Sequence, residues 1–189
     1  QYRTTLGTEI HDFAASQIDL KHKYTSLRDL TRAVESYIYC KYMYLSDDLV
    51  VGDYAKKIIS HLNNIPKEVF EAVRYYINDG VGFRMNTEQC LYYSDHIFCH
   101  ADTICFRNNF LRIHDLKTGS NPAHMEQLEV YAALFCLEYK TKPSDIQIEL
   151  RLYQWDGIEI ENPDSEVLTP IIDKIITNEK IAADVEKEI

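Results

Sequence analysis

Asp102, Asp115 and Lys117 are the residues whose types and spacing point most directly to chemistry, because a short hairpin would bring them onto one face. Two carboxylates beside an ammonium suit a divalent-metal phosphodiesterase site. The hairpin follows from Asn108-Asn109, a two-residue turn between the strand-like runs Ile97 to Phe106 and Phe110 to Lys117. Asn tolerates the positive φ that a type I′ turn requires. With Arg107 opposite Phe110, an antiparallel ladder sets Thr103 against His114, Asp102 against Asp115 and His100 against Lys117. Side chains alternate between faces, so Asp102, Asp115, Lys117 and His100 are expected on one of them.

Directly opposed residues hold their Cβ atoms about 4.5–5.5 Å apart. Two like unit charges at ~5 Å repel by roughly 3 kcal/mol at an effective dielectric near 20. A bound cation gives a reason to tolerate that repulsion. The plainer reading is a solvated ion-pair cluster worth almost nothing. Leu111, Ile113 and Leu116, with the Phe and Ile residues of the facing run, make the hairpin too apolar for a solvated edge, so its acidic face is expected to line a cleft.

The elements that must position these residues are legible from periodicity. Helical spacing predicts helices over Gly7 to Leu20, Ser26 to Tyr44 and Asp53 to Leu62. A fourth starts at Asn64-Ile65-Pro66, buries Val69, Phe70, Val73, Tyr76 and Ile77, and ends at Gly80 and Gly82. Strands are expected over Phe83 to Tyr93, Ile97 to Phe106 and Phe110 to Lys117. A loop over Thr118-Gly119-Ser120-Asn121-Pro122 leads to a helix from Ala123 to Tyr139. Pro143 precedes a strand from Ile146 to Trp155, Gly157 turns the chain into a return strand over Ile158 to Glu161, and a last helix runs from Asp164 to Glu186. The fold class is α/β (α+β), a central mixed β-sheet flanked by helices. A single domain over 1–189 is expected, with a helical part at 1–80, the sheet and one helix at 81–161, and a C-terminal helix at 162–189.

Composition narrows the class. The 189 residues, 46% hydrophobic, can build one sizeable core. With no signal-peptide pattern, transmembrane stretch or low-complexity tract, the expectation is a cytoplasmic protein that makes no membrane contact. A start at Gln1 suggests a trimmed fragment. Cysteines at 40, 90, 99, 105 and 136 show no CxxC spacing and read as buried reduced thiols. The formal charge of −10 argues against holding nucleic acid by a bulk basic field, so local patches must do that work. Arg3, Lys21, Lys23, Arg28, Arg32 and Lys41 outnumber the acids near them, while the tail after Asp164 carries much of the negative excess.

The series His100-Ala101-Asp102, Ile113-His114-Asp115-Leu116-Lys117-Thr118-Gly119 and Gln127-Leu128-Glu129-Val130-Tyr131 resembles the PD-(D/E)XK nuclease superfamily. Within it, the likeness is to the RecB-like branch, in which a Gly-x-x-x-His motif sits on the first helix. Gly7-Thr8-Glu9-Ile10-His11 fits that motif. The four motifs stand in the expected order between residues 7 and 131, and the layout resembles the small RecB-like exonucleases of bacteriophages.

The resemblance implies a restriction-endonuclease-like core in which His11, Asp102, Asp115 and the backbone carbonyl of Leu116 bind Mg2+ or Mn2+. Asp102, Asp115 and Lys117 are the catalytic set, and Gln127 and Tyr131 contact DNA and support the metal site. Hard oxygen ligands suit magnesium or manganese, and one imidazole tilts the set toward manganese. Gln127 and Tyr131 stand one turn apart on a predicted helix, with His124 three residues before Gln127. Glu88 begins the preceding strand and is left outside the site as a solvated strand end.

His96, Cys99, His100, Cys105 and His114 do not make a zinc site, since alternation sends Cys99 and His100 to opposite faces and no paired cysteines exist. Iron–sulfur relatives carry a cysteine trio after the last helix, and nothing past Cys136 supplies one, so no iron–sulfur cluster is expected. Ala101 stands where proline or glycine commonly precedes the strand aspartate.

The expected function is a Mg- or Mn-dependent DNA exonuclease of phage or bacterial recombination, repair or DNA processing. No helix-turn-helix or zinc finger appears that could read bases. Processivity would come from a recombination partner protein, a homo-oligomeric ring or a threaded strand. The rival is a non-catalytic binding or regulatory protein on the same fold, a DNA mimic or nuclease inhibitor suited to the negative charge. An RNA-directed nuclease with the same chemistry is a third reading.

Overall fold

A computed structural model of the chain describes residues 2–43, 49–119 and 123–187. Four helices come first: α1 (Tyr2–Asp19), α2 (Leu27–Met43), α3 (Leu49–Leu62) and α4 (Lys67–Gly82). Strands β1 (Asn86–Ser94), β2 (Ile97–Arg107) and β3 (Phe110–Leu116) follow, then α5 (Glu126–Glu138), β4 (Gln147–Gln154), β5 (Gly157–Glu161) and α6 (Ser165–Lys187). The expected elements are all present, with ends shifted by a few residues. Of the expected Thr118–Pro122 loop, residues 120–122 lie outside the described residues, as does the expected helix end at Tyr44.

The strands form one mixed sheet in the order β1-β2-β3-β4-β5, flanked by helices. Antiparallel pairing joins β1 to β2 and β2 to β3. Next to β3, β4 runs parallel: Gln147 N donates to Asn109 O at 2.8 Å and Lys117 N to Tyr153 O at 2.8 Å, so both strands ascend together. Parallel neighbours need a long crossover, which α5 supplies.

Contacts divide the described residues into two compact units, each built from several stretches of the chain. One comprises 1–84, 116–122 and 153–158, the other 85–115, 123–152 and 159–189. In the first, the helical unit, Leu6, Ile10, Phe13, Ala14 and Ile18 recur at the three- and four-residue spacing of one α1 face and are buried. They pack with Leu30, Val34 and Ile38 of α2, Val73, Tyr76 and Ile77 of α4, and with Leu116 and Tyr153. Ser26 caps α2 by accepting from Asp29 N at 3.1 Å while its hydroxyl donates to Asp29 Oδ2 at 2.8 Å. A Cβ on Gly80 would fall 2.7 Å from Ile18 Cδ1, so α1 and α4 cross where only a hydrogen fits.

The second, the sheet unit, buries Ile104, Leu111, Ile113, Ile148, Leu150 and Leu152 against Leu128, Ala132 and Phe135 of α5 and Leu168 and Ile175 of α6. Burying a Leu or Ile side chain contributes about 1.5–3 kcal/mol, so each unit holds its own substantial core. No helix among the described residues is long and apolar enough to cross a membrane. Residues 1–84 carry eleven Lys and Arg against eleven Asp and Glu, so the whole formal charge of −10 falls on residues 85–189.

Candidate functional site

The hairpin that carries the two aspartates has the register its turn demands. Asn108 and Asn109 both take positive φ, 53° and 56°, and the ladder runs from Arg107↔Phe110 to Thr103↔His114. The paired ladder ends there, one step short of Asp102 and Asp115. Along β3, Leu111 and Ile113 turn toward the sheet unit's core, and alternation sends Asp115 the same way, where it is 1% exposed. Asp102 is half-buried.

Facing that core from α5 is Tyr131, 8% exposed, whose hydroxyl accepts a hydrogen bond from Gln127 Nε2. Its phenol is pushed up to about 12, by burial first; the Gln127 hydrogen bond acts against that rise, and the charges of Asp115, Cys99 and Asp102 add to it. The Tyr131 oxygen therefore lies in the field of both carboxylates and stays protonated at neutral pH. Gln127 and Tyr131 share a face of α5, as their spacing predicts, but His124 precedes the helix rather than lying on it.

Two expectations fail at β2. Ile97, Cys99 and Ala101 belong to one side of an alternating strand and Ile104 to the other, yet all four pack into the same core. The alternation therefore changes phase between Ala101 and Ile104. At that point Glu88, the β1 residue opposite Asp102, takes a positive φ of 48° and drops out of the ladder, with Thr87↔Thr103 and Gln89↔Ala101 paired on either side. His100 follows the phase pointing away from the core and is exposed, so it does not share the face of Asp115. Nor is it paired with Lys117, because the ladder stops at Thr103↔His114. Glu88 is exposed, as expected of a strand end, but its place opposite Asp102 was not foreseen.

The other expected residues belong to the helical unit. Leu116 is fully buried in its core, and Lys117, just past β3, is half-exposed with its backbone N–H on Tyr153 O. His11 is half-buried on α1. Gly7, one turn before it, has a structural reason to lack a side chain: a Cβ there would fall 3.0 Å from Thr118 Oγ1. The helix carrying the Gly-x-x-x-His motif thus runs against the segment that follows Lys117. It is anchored by Glu9, 4% exposed, whose carboxylate accepts from Lys41 Nζ at 2.7 Å and from Tyr42 OH at 2.7 Å. Lys41 also reaches Asp12 at 2.8 Å.

On the opposite face of β3 lies a second polar group. Arg112 Nε and Arg151 Nε both donate to Glu149 Oε1, at 3.1 and 3.0 Å. Beside them His114 is fully buried and its imidazole is pushed down to about 3, by burial first and then by Arg151 and Arg112. It is neutral at physiological pH. The Glu-x-Arg alternation of β4 signals this group only once the parallel pairing of β3 with β4 is known. The cysteines are free, but only Cys105 and Cys136 are buried; Cys90 and Cys99 are intermediate and Cys40 is exposed, against the expectation that all five would be buried.

Among the described residues, no group of three or more His, Cys, Asp and Glu side chains is gathered so as to hold a metal ion. In the sheet unit, the expected oxygen donors are the Asp102 and Asp115 carboxylates, which both act electrostatically on the Tyr131 hydroxyl. That set fits magnesium, which is commonly held by one or two carboxylates plus water and substrate phosphate. It does not fit an ion that needs a full cage of protein side chains. No family model, no curated protein and no solved structure matches this chain.

Proposed function

We propose that this chain is a metal-dependent nuclease of the PD-(D/E)XK type, RecB-like in its motif order, and an exonuclease on DNA. What supports the reading is that Asp102 and a buried Asp115, just past the last paired residues of the β2–β3 hairpin, both act electrostatically on the Tyr131 hydroxyl. A cation bound to both carboxylates would offset their mutual repulsion. Magnesium or manganese, when bound, would supply a Lewis acid for a phosphodiester oxygen and for the attacking water.

The chain's own residues would do the rest. Asp102 and Asp115 bind the ion, with the Leu116 carbonyl and His11 as the further ligands that the resemblance implies. Lys117, two residues beyond Asp115, offers its ammonium to the charge that develops on the phosphate. Tyr131 donates from its phenol toward the carboxylates or a substrate oxygen, and Gln127 orients that phenol. The expected setting is recombination, repair or phage DNA processing in the cytoplasm of a bacterial cell, with a partner protein or a homo-oligomer supplying processivity.

The test is incubation of end-labelled linear DNA and closed circular DNA with the protein and magnesium or manganese, beside Asp115→Ala and Lys117→Ala. The linear substrate should shorten from its ends and the circle stay intact, with cleavage by either variant down at least 100-fold. Circles nicked as fast as linear DNA is degraded would sink the exonuclease assignment. A second reading, a regulatory protein that mimics DNA or inhibits a nuclease, is favoured by the concentration of all net negative charge on residues 85–189. Absence of cleavage with either metal would move the assignment there.

A further inference from the structure

We infer that the exposed face of α2, with the turn before it, is a track for a single strand of nucleic acid; the inference rests on the nuclease reading and names how that site would hold its substrate. Arg28, Arg32 and Tyr39 recur at intervals of four and seven residues, which puts them on one stripe of the helix, and all three are exposed, Tyr39 by 48%. The stripe spans about 16 Å at 1.5 Å per residue. Lys21 and Lys23 stand exposed in the turn that leads into it. That turn is held in place by Asn78 of α4, whose side chain accepts from Tyr24 N at 2.9 Å and donates to Tyr24 O at 2.8 Å.

What makes the face basic is the disposition of the acids. Over residues 1–84 the charges balance, but many of the acids are engaged elsewhere. Glu9 and Asp12 are taken up by Lys41, Glu71 by Arg74, Asp53 by Lys56, and Asp79 accepts from Tyr153 OH at 2.7 Å. Asp29, next to Arg28, is bonded to the Ser26 cap. Glu35 is the one acid on the stripe itself, between Arg32 and Tyr39, and it separates the two arginines from the tyrosine. No ion pair of Lys21, Lys23, Arg28 or Arg32 occurs among those of the described residues.

Cations without acidic partners on a surface, followed along the same stripe by an exposed tyrosine, match a polyanion whose unpaired bases can stack. A duplex would offer phosphates but no base face to Tyr39, so the single strand is the better fit.

The test is fluorescence anisotropy of a labelled phosphorothioate dT30, which resists hydrolysis, titrated with the full chain in magnesium at several salt concentrations. Arg28→Glu/Arg32→Glu should weaken binding at least ten-fold and reduce the slope of log K against log salt by about 1.4, since each lost contact to a single strand removes about 0.7. Tyr39→Ala should weaken it several-fold without changing that slope. Lys174→Glu/Lys180→Glu, the same charge change on exposed α6 positions, should leave binding within two-fold of wild type. Equal weakening by both charge reversals, wild-type binding by the α2 variant, or no binding by wild type would overturn the inference. So would a salt-sensitive self-association, seen by light scattering, that the α2 substitutions abolish. A protein that cleaves DNA but ignores the α2 changes loses this inference and keeps the nuclease reading. One that binds through α2 and never cleaves does the reverse.

Discussion

Among the described residues each unit buries one carboxylate, Glu9 in the helical unit and Asp115 in the sheet unit, and their settings differ. In the helical unit, Glu9 receives a lysine ammonium and a tyrosine hydroxyl, both at 2.7 Å, and the arrangement ties α1 to α2. In the sheet unit, Asp115 is buried still more completely, and its charge, like that of Asp102, pushes the Tyr131 phenol toward the protonated form. Burial of a charge is tolerable when an opposite charge comes with it. Glu9, with Lys41 and Tyr42 upon it, therefore reads as a part of the fold, and the metal-binding use proposed for Asp115 has to be tested against such a structural role.

The largest expected effects come from neutralising these two acids in turn. Glu9→Gln strands the Lys41 ammonium beside an exposed Asp12, and the loss of a fully buried pair costs roughly 3–5 kcal/mol. Lys41 is one-third exposed, so solvent screening lowers the expected loss to about 1–3 kcal/mol. On the metal-binding proposal, Asp115→Asn relieves repulsion from Asp102, so it should stabilise the protein by about 0.5–1.5 kcal/mol while abolishing metal-dependent cleavage, the usual sign of a site held at the expense of stability. Urea denaturation without added metal measures both. If Asp115→Asn destabilises as much as Glu9→Gln, the two acids play the same role and the contrast disappears.

The sequence carried the sheet unit's central hairpin to the residue, because a two-residue turn fixes register through local backbone chemistry alone. The amphipathic helices were legible for a similar reason: Leu6, Ile10, Phe13 and Ile18 announce one face whatever packs upon it. What escaped was non-local. Glu88 with positive φ looks like any strand residue in sequence, so the phase change at Asp102 and the misplaced His100 had no signal. Arg112, Glu149 and Arg151 meet only across a parallel pair joined by α5, whose length leaves the register open. The engagement of Glu9 with Lys41, 32 residues away, is likewise visible only in the fold. At the candidate site, the residue types and the strand pairing were readable, but burial of Asp115 and the position of Tyr131 were not.

A second contrast, between the faces of β3, predicts how the sheet unit responds to acid. His114 sits at about 3 in the folded chain and near 6.5 when unfolded. Below pH 6.5 the unfolded state binds a proton that the folded state refuses, so stability should fall as pH falls through the interval from 6.5 toward 3. The expected slope approaches about 1.4 kcal/mol per pH unit, so roughly 1–2 kcal/mol is lost between pH 6.5 and 5, above most carboxylate titration. His114→Gln should flatten that interval in chemical denaturation curves. An unchanged slope in the variant would mean that the acid response arises on the other face, at the carboxylates.

The smallest effect tests whether the Gly-x-x-x-His helix is spaced by its glycine. Gly7→Ala gains about 0.5–1 kcal/mol from helix propensity, since alanine restricts the unfolded chain and loses less on folding. Against that gain stands Thr118 Oγ1, 3.0 Å from the new methyl, a separation tighter than relaxed packing allows. The two terms should nearly cancel in the otherwise unchanged chain. In a Thr118→Ala background the obstruction is gone and the full helix gain should emerge, so a double-mutant cycle should return a coupling of about 0.5–1 kcal/mol. A coupling near zero would mean that Thr118 yields freely and that Gly7 owes its place to something other than this close approach. With the coupling present, the glycine has a mechanical role: it sets how near α1 comes to the segment following Lys117, and the proposed use of His11 depends on that spacing.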